Sequence, residues 1–219
     1  MVTDVTTSAP TPASVTADRE QLLVELVDGA GAAIGACPVA DAHAAPGRRH
    51  RAFSVLLYDR TGRVLLQQRA AVKTRFPLRW SNTCCGHPAP GQDIAAAALS
   101  RLAEELGITA AQVTPLVDVG VHSYRAADAA TGRVEDEWDH VLVATLTGGA
   151  PAVDPNEVSD LRWASPGPLA DEVAAHPANF TPWLPGVLEL ASRPVRVSPD
   201  RVSPDRVSPA DREGHGHAT

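Results

Sequence analysis

One helical stretch lies among strand-like segments, and this arrangement constrains the fold more than any other feature of the chain. From Asp93 to Leu106 apolar residues recur every three or four positions, and Gly107 stands where such a helix would end. The recurring apolar residues are Ile94, Ala98, Leu99, Leu102 and Leu106. An amphipathic helix must bury its apolar face, so we expect this one to pack on a sheet.

Strand-turn-strand patterns on both sides of the helix supply that sheet. Two hairpins are predicted before it, from residues 22–27 with 32–39 and from residues 51–58 with 63–69. A long loop, residues 70–91, follows the second hairpin. After the helix we predict strands at residues 116–124, 133–146 and 160–164, and helices at residues 169–175 and 182–191. The expected class is α/β (α+β): a mixed sheet sandwiched between helices in a single domain.

Both ends of the chain differ in composition from its middle. Residues 1–20 are poor in large apolar side chains, and we expect a disordered leader there. Residues 193–219 carry the repeat Arg-Val-Ser-Pro-Asp, in which a proline in every unit forbids a helix, so we expect a disordered tail. A partner-binding motif is the alternative for the tail. The folded domain is then predicted to span residues 21–192.

Charge and cysteine content exclude several classes of protein. A formal net charge of -7 argues against binding to nucleic acid or to an anionic membrane surface. The apolar runs are far shorter than the roughly 20 residues of a membrane-spanning helix, and the first residues lack a secretory pattern. The three cysteines, Cys37, Cys84 and Cys85, do not suit a disulfide framework. We therefore expect a cytoplasmic protein with reduced thiols; the sequence does not indicate its oligomeric state.

Two glutamates on one predicted strand are the first candidates for chemistry. Glu135 and Glu137 are two residues apart, so their side chains project from the same face of the strand. Two carboxylates at such a short distance repel each other, and a bound cation or a shared proton relieves the repulsion. A solvated strand face is the alternative for this acidic segment.

Three histidines could complete a metal site with these carboxylates. His43, His50 and His87 are predicted to lie outside regular elements, where binding sites are commonly built. Imidazole and carboxylate ligands together suit Zn, Mn or Mg. Each histidine taken alone is equally typical of an ordinary surface loop. We interpret the remaining five as such ordinary cases: His122, His140, His176, His215 and His217.

Five motifs in order along the chain resemble those of the type I isopentenyl-diphosphate isomerases. They are Arg-His-Arg-Ala-Phe-Ser at 49–54, Arg-Ala-x-x-Lys at 69–73, Trp-Ser-Asn-Thr-Cys-Cys-Gly-His-Pro at 80–88, Glu-Asp-Glu at 135–137 and Phe-Thr-Pro-Trp at 180–183. The resemblance covers about residues 22–190. It implies a fold related to the Nudix hydrolases and the interconversion of isopentenyl and dimethylallyl diphosphate. The implied partner is a small isoprenoid diphosphate.

The resemblance also implies roles for individual residues. It assigns the ligands of one divalent metal to His43, His50, His87, Glu135 and Glu137. It assigns proton transfer on opposite faces of the substrate to Cys85 and Glu137, with Tyr124 assisting the glutamate and Trp183 against the reacting carbons. Contacts to the diphosphate fall to Arg69, Lys73 and Arg101. Glu105 would bind a second ion, Mg, held largely by the diphosphate itself.

Plainer interpretations exist for several of these residues. Trp183 could simply pack in the core, and the three cations could be solvated. Arg101 and Glu105 could form an i,i+4 helix pair. One departure from the family lies at Val39, where the family often carries a diphosphate-binding lysine; Arg48 or Arg49 could compensate.

Two other functions compete with the isomerase. A Nudix-type diphosphate hydrolase would need the box Gly-x5-Glu-x7-Arg-Glu-x2-Glu-Glu-x-Gly, but Gln92 stands at its first glutamate and Ser100-Arg101 replaces Arg-Glu. Losing carboxylates that hold metal weakens this proposal. A non-catalytic diphosphate-binding module is the other alternative, and such a module would not need Cys85.

Overall fold

The computed structural model describes residues 19–193. The predictions for residues 1–18 and 194–219 therefore lie outside the described residues. Arg19 and Glu20, the last two residues of the predicted leader, are described and helical, and they pair with Glu157 and Arg75. Within residues 19–193, no helix has the length and apolar character needed to cross a membrane.

Nine strands and four helices make up the described chain. The strands are β1 (Leu23–Val27), β2 (Ala33–Pro38), β3 (His50–Tyr58), β4 (Val64–Arg69), β5 (Trp80–Ser81), β6 (Cys84–Gly86), β7 (Val117–Ala127), β8 (Val134–Thr145) and β9 (Val158–Ala164). The helices are α1 (Val39–His43), α2 (Ile94–Leu106), α3 (Pro166–Ala175) and α4 (Leu184–Ser192), with 3-10 turns at Ala110–Gln112 and Pro177–Asn179.

Strand β3 lies at the centre of the sheet. It pairs with β8 in parallel over its whole length, with His50 opposite Glu137 and Tyr58 opposite Thr145. Its other partners, β1, β4 and β6, are antiparallel. Strand β7 continues the sheet from β8, and β5 and β9 continue it from β4. The sheet is mixed, as predicted.

Both faces of the sheet are covered by helices because side chains on β3 alternate between two apolar cores. Val55 and Leu57 face the core that α2 completes with Leu102 and Leu106. Leu56 points the other way, into a second core that α3 and α4 complete. The predicted arrangement of a sheet between helices in one domain is confirmed.

The predicted helix at residues 93–106 forms α2, and local signals set both its ends. The Asp93 side chain caps its start by accepting a hydrogen bond from the Ala96 N–H at 2.8 Å. Gly107 ends it in the left-handed conformation with φ 63°, which a residue without Cβ adopts freely. This helix is therefore specified locally as well as by its packing.

The predicted long loop, residues 70–91, was wrong in one respect, since it contains β5 and β6. These strands are only two and three residues long, too short for a periodic pattern, and tertiary pairing with β4 and β3 creates them. Two histidines were also misplaced. His43 is the last residue of α1 and His50 the first of β3, whereas His87 follows β6 in a loop. Element ends are where sequence patterns say least.

Candidate active site

Three strands bring the candidate site residues to one place. On β8, Glu135 and Glu137 are both buried and lie on the same face, as their spacing predicted. The parallel register places His50 opposite Glu137, and the β3–β6 pairing places Cys85 opposite Ser54. The site therefore depends on strand register more than on any loop.

Five side chains converge beside these strands, and we call them the histidine–glutamate cluster: His43, His50, His87, Glu135 and Glu137. One potential ligand atom from each lies within 4.8 Å of all the others. His43 Nε2 is 2.7 Å from Glu135 Oε2, and His87 Nε2 is 2.9 Å from Glu137 Oε1. His50 Nε2 lies 3.6 Å from the same Glu137 oxygen. The chain brings together all five residues predicted as metal ligands.

Backbone contacts fix how two of the histidines face the cluster. His43 Nδ1 lies 2.7 Å from the Val39 carbonyl and His50 Nδ1 lies 2.8 Å from the Arg48 carbonyl. A carbonyl only accepts, so each Nδ1 carries a proton, and in the neutral ring each Nε2 presents a lone pair to the cluster. His43 Nε2, His50 Nε2 and Glu135 Oε2 are buried without a hydrogen-bond partner. Lone pairs facing one another in this way fit a divalent cation, and the cluster can hold one.

Burial and charge set the protonation of the cluster. Burial alone would raise the pKa of Glu137, but contacts with His50 and His87 hold it well below its usual value. Burial, aided by the charge of His50, lowers the pKa of His87 to about 4. The pKa of His50 moves the other way, because the contact with Glu137 outweighs burial. A proton and a metal cation therefore compete for His50.

Tyr124 and Cys85 add two protonated groups beside the cluster. The Tyr124 hydroxyl donates a hydrogen bond to Glu137 Oε2 at 2.6 Å, and burial together with the Glu137 charge raises its pKa well above the usual value. Burial raises the pKa of Cys85 to about 12, although Arg69 acts in the opposite direction. Cys85 is thus a thiol at neutral pH, in the same pocket as Glu137.

A third carboxyl group lies on the same face of β8. Asp139 is fully buried, and its Oδ2 accepts a hydrogen bond from the Ser54 hydroxyl at 2.8 Å. Burial, followed by the charge of Glu137, raises its pKa well above the usual value. The acidic segment therefore combines two carboxyl groups whose pKa is lowered with one whose pKa is raised. The alternative of a solvated strand face does not hold for Glu135, Glu137 and Asp139, which are all buried.

Trp183 belongs both to the core and to the pocket. It packs in the second apolar core and also lines the pocket that contains Cys85 and Glu137. Its ring lies 5.8 Å from the ring of Tyr124, and the guanidinium of Arg69 lies 5.5 Å from its centroid. The two interpretations offered for this residue are therefore compatible.

At its other end the pocket carries a second group of charges, which we call the basic end: Arg19, Lys73, Arg101, Glu105 and Glu157. Lys73 pairs with Glu157. Arg101 pairs with Glu105, as their i,i+4 spacing on one helix predicted. Arg19 Nε lies 3.1 Å from Glu157 Oε1. Every charge at the basic end thus has a partner within the protein.

Arg69 is placed differently from the other two predicted diphosphate contacts. Its guanidinium donates to the carbonyls of Phe76 and Arg75, at 3.1 and 2.9 Å, while still lining the pocket. Two of its nitrogens, Nε and Nη2, are therefore committed to shaping the loop after β4.

Several pocket residues escaped sequence reasoning. Glu157 and Arg19 lack any motif, and Arg75 was overlooked although it stands two residues after Lys73. Arg75 Nη1 lies 2.8 Å from Glu20 Oε1 and its Nε 3.2 Å from Glu135 Oε1, so it links the N-terminal segment to the cluster. Arg49 instead pairs with Asp136 at 2.9 Å. Among the described residues, Arg19 and Arg75 rather than Arg48 or Arg49 line the pocket with Val39.

Comparison with known proteins places this architecture in a class. The NUDIX domain profile matches residues 48–184. A crystal structure from Deinococcus radiodurans is similar in fold, with a TM-score of 0.63 and 18% identity over 78% of this chain and 99% of that one. The chain is therefore a NUDIX-domain protein, and the Nudix-like fold that the motifs implied is confirmed.

Curated relatives narrow the class to one family. A Nocardia farcinica protein named isopentenyl-diphosphate Delta-isomerase is 64% identical over 175 residues, which is 80% of this chain and 97% of that protein. A Streptomyces coelicolor protein of the same name is 42% identical over 192 residues, 88% of this chain and 94% of that one. The chain belongs to the isopentenyl-diphosphate Delta-isomerase family.

Proposed function

We propose that this protein is an isomerase that interconverts isopentenyl diphosphate and dimethylallyl diphosphate, in the biosynthesis of isoprenoid precursors. Its relatives carry the name of this activity. The observation that carries the proposal is one pocket lined by the Cys85 thiol and by the Glu137–Tyr124 pair. Two proton-handling groups of different kind in one buried site are what a double-bond shift requires.

The chemistry sets strict demands on such a site. An unactivated alkene is a very weak base, and adding a proton to its terminal carbon leaves a tertiary carbocation at the neighbouring carbon. Removing a proton from the carbon on the other side of the cation completes the shift, so one proton enters and one leaves. The site must supply an acid, a base and protection from water.

Cys85 and Glu137 divide these two proton transfers in our proposal. The Cys85 thiol holds its proton at neutral pH because it is buried. Glu137 is held ionised by the histidines, and Tyr124 donates to its second oxygen. In the reverse reaction the two groups exchange roles: the protonated Glu137 acts as the acid and the Cys85 thiolate as the base. The pair therefore serves both directions.

Aromatic rings would stabilise the carbocation. Trp183 and Tyr124 lie side by side in the pocket and offer π faces to a positive charge. A desolvated cation–π contact contributes about 2 kcal/mol. The same rings exclude water, which would otherwise capture the cation as an alcohol.

We propose that the histidine–glutamate cluster holds Zn, Mn or Mg. When bound, a divalent metal there supplies positive charge that offsets the two carboxylates. Three imidazoles and two carboxylates suit any of these ions, so supply in the cell would decide which one binds. Backbone contacts of Nδ1 orient the Nε2 atoms of His43 and His50 towards the cluster, and His87 Nε2 contacts Glu137 directly.

The diphosphate would bind at the basic end, through Lys73 and Arg101 with Arg69 beside them. Lys73 is paired with Glu157 and Arg101 with Glu105, so a diphosphate must replace protein carboxylates with its own oxygens. We propose that Glu105 is then free to bind a Mg ion carried in by the diphosphate. Hydrolysis is disfavoured because Arg101 occupies a position where the hydrolase box has a glutamate.

The test incubates the purified protein with isopentenyl diphosphate, Mg and Mn in deuterated water and follows the products by NMR. Dimethylallyl diphosphate carrying deuterium is the expected product, because solvent exchanges with the groups that transfer protons. Release of inorganic phosphate would instead indicate a hydrolase. Unchanged substrate, with bound metal verified, would indicate a binding module.

A further inference from the structure

Asn82 lies in the turn between β5 and β6, and its side chain contacts both Cys85 and Trp183. It is fully buried. Its Oδ1 accepts hydrogen bonds from the Cys85 thiol at 3.1 Å and from the Trp183 indole N–H at 3.0 Å. The Ser81 hydroxyl lies 3.0 Å from the same oxygen. One amide oxygen therefore joins two groups that come from distant parts of the chain.

The orientation of this amide follows from its partners. Asn82 Nδ2 lies 2.7 Å from the Cys84 carbonyl and 3.3 Å from the Val55 carbonyl, and carbonyls only accept. On the other side an indole N–H only donates, so the atom facing Trp183 must be oxygen. Rotating the amide by 180° would set donor against donor and acceptor against acceptor. A single orientation satisfies the site.

We infer that Asn82 is a positioning residue that holds the Cys85 thiol and the Trp183 ring in a fixed relation to each other. The inference rests on the proposed function, in which both groups act on the reacting carbons. Asn82 anchors Trp183, which precedes α4, to the turn that leads into β6, the strand that carries Cys85. A shared acceptor makes the two groups move together rather than independently.

Fixing this relation matters because proton transfer to carbon tolerates little misplacement. A displacement of about 1 Å can lower a rate on the order of 100-fold. The Asn82 side chain is hydrogen-bonded to neighbouring groups of the protein and does not line the pocket. Its loss should therefore lower kcat and leave the binding of the diphosphate unchanged.

The neighbouring residue provides a matched control. Thr83 is also fully buried, and its hydroxyl accepts from the Leu57 N–H at 2.8 Å and donates to the Leu65 carbonyl at 2.6 Å. It makes these contacts away from Cys85 and Trp183. Thr83→Val thus removes buried hydrogen bonds of similar kind from the same turn without touching the two groups.

The experiment compares Asn82→Leu with Thr83→Val by steady-state kinetics and thermal unfolding. We expect Asn82→Leu to lower kcat about 100-fold with KM within about threefold of the parent. Thr83→Val should lower the melting temperature comparably and keep kcat within about threefold. Equal losses of kcat in both variants would reduce Asn82 to an ordinary structural residue and overturn the inference.

A spectroscopic measurement tests the shared acceptor without relying on activity or on the folding of Asn82→Leu. The Trp183 indole N–H is assigned by its disappearance in Trp183→Phe. In the parent protein it should exchange with deuterated water more slowly than those of the half-buried Trp80, Trp138 and Trp163. Cys85→Ala removes one donor from the common oxygen and should shift the Trp183 indole resonance.

Fast exchange of that indole proton, or an unshifted resonance in Cys85→Ala, would overturn the inference. Failure of the proposed function gives a different pattern. The parent protein would then produce no dimethylallyl diphosphate, while the indole measurements would still show the shared acceptor.

Discussion

The two ends of the pocket solve the problem of buried charge in opposite ways. In the histidine–glutamate cluster, His43 Nε2, His50 Nε2 and Glu135 Oε2 are buried without hydrogen-bond partners. At the basic end, by contrast, Lys73 and Arg101 already have carboxylate partners inside the protein. The first end presents atoms that can take up a cation, and the second must give up existing contacts to receive a ligand.

This difference indicates which parts of the site are prepared in advance. Unpaired lone pairs held by a rigid sheet cost stability until a cation arrives, so the cluster should gain much from metal. Ion pairs that already exist offset part of the affinity for a diphosphate, because binding replaces one set of contacts with another. We expect changes at the cluster to act on catalysis and metal, and changes at the basic end to act on substrate affinity.

The largest expected effect is loss of proton transfer next to the cluster. Cys85→Ala and Glu137→Gln should each lower kcat at least about a thousandfold, because each removes a group that moves a proton. The measurement is deuterium incorporation into product together with circular dichroism of each variant. Near-parental kcat in either variant would contradict the proposed mechanism.

Neighbouring residues of the same type serve as controls for this pair. Cys84 is adjacent to Cys85 but is fully buried in the first apolar core, and Asp136 points away from Glu137 to pair with Arg49. Cys84→Ala and Asp136→Asn should keep kcat within about threefold of the parent protein.

Removing a ligand from the cluster should separate metal binding from folding. His87→Ala should lower the metal content of the purified protein, since it deletes one of the five converging side chains. Bound metal at about 1,000 times its Kd stabilises a fold by about 4 kcal/mol, so the parent should melt at a lower temperature after chelation. That chelator effect should shrink in His87→Ala.

His140 provides the comparison for this prediction. It lies on the same strand as Glu137 but pairs with Asp118 at 2.9 Å. His140→Ala should retain the metal content and the chelator effect of the parent. If His87→Ala also retains both, His87 does not belong to the metal site.

Changes at the basic end should act on KM. Arg101→Met should raise KM about 10- to 100-fold with little change in kcat, because a charged hydrogen bond to the diphosphate contributes about 1.5–3 kcal/mol. Arg63 is the matched arginine, paired four residues away with Asp59 in a turn outside the pocket. Arg63→Met should leave KM unchanged. If Arg101→Met lowered kcat and left KM unchanged, the division between catalysis at the cluster and substrate affinity at the basic end would be wrong.

The smallest expected effect lies at the contact between the N-terminal segment and the cluster. Arg75→Ala should weaken metal binding about tenfold, because a buried partner that orients Glu135 is lost. Arg75→Lys should recover part of this affinity, because an ammonium group can again donate a hydrogen bond to Glu135 and orient it. Titration calorimetry with Mn measures both variants. Equal metal affinity in the parent and in Arg75→Ala would limit Arg75 to a role in folding.

Much of the fold was predictable because its signals are local. Helix α2 carries its own cap, its own stop and a clear apolar stripe, and turn residues mark the loops of the first two predicted hairpins. The same-face placement of Glu135 and Glu137 also follows directly from strand geometry. The family resemblance then named the five residues of the cluster, four of which lie in the quoted motifs.

The sequence by itself determined the longer strands, helix α2 and the residue types that are present for chemistry. Tertiary structure alone decided which further residues line the pocket, namely Glu157, Arg19 and Arg75. It also placed His43 and His50 at the ends of regular elements. Finally, it brought Asn82 into contact with both Cys85 and Trp183. The physical reason is the sequence separation over which each interaction acts. Periodicity and capping act over a few residues, whereas the parallel β3–β8 register and the approach of Trp183 to Asn82, 101 positions away, arise only when the sheet and its helices pack together.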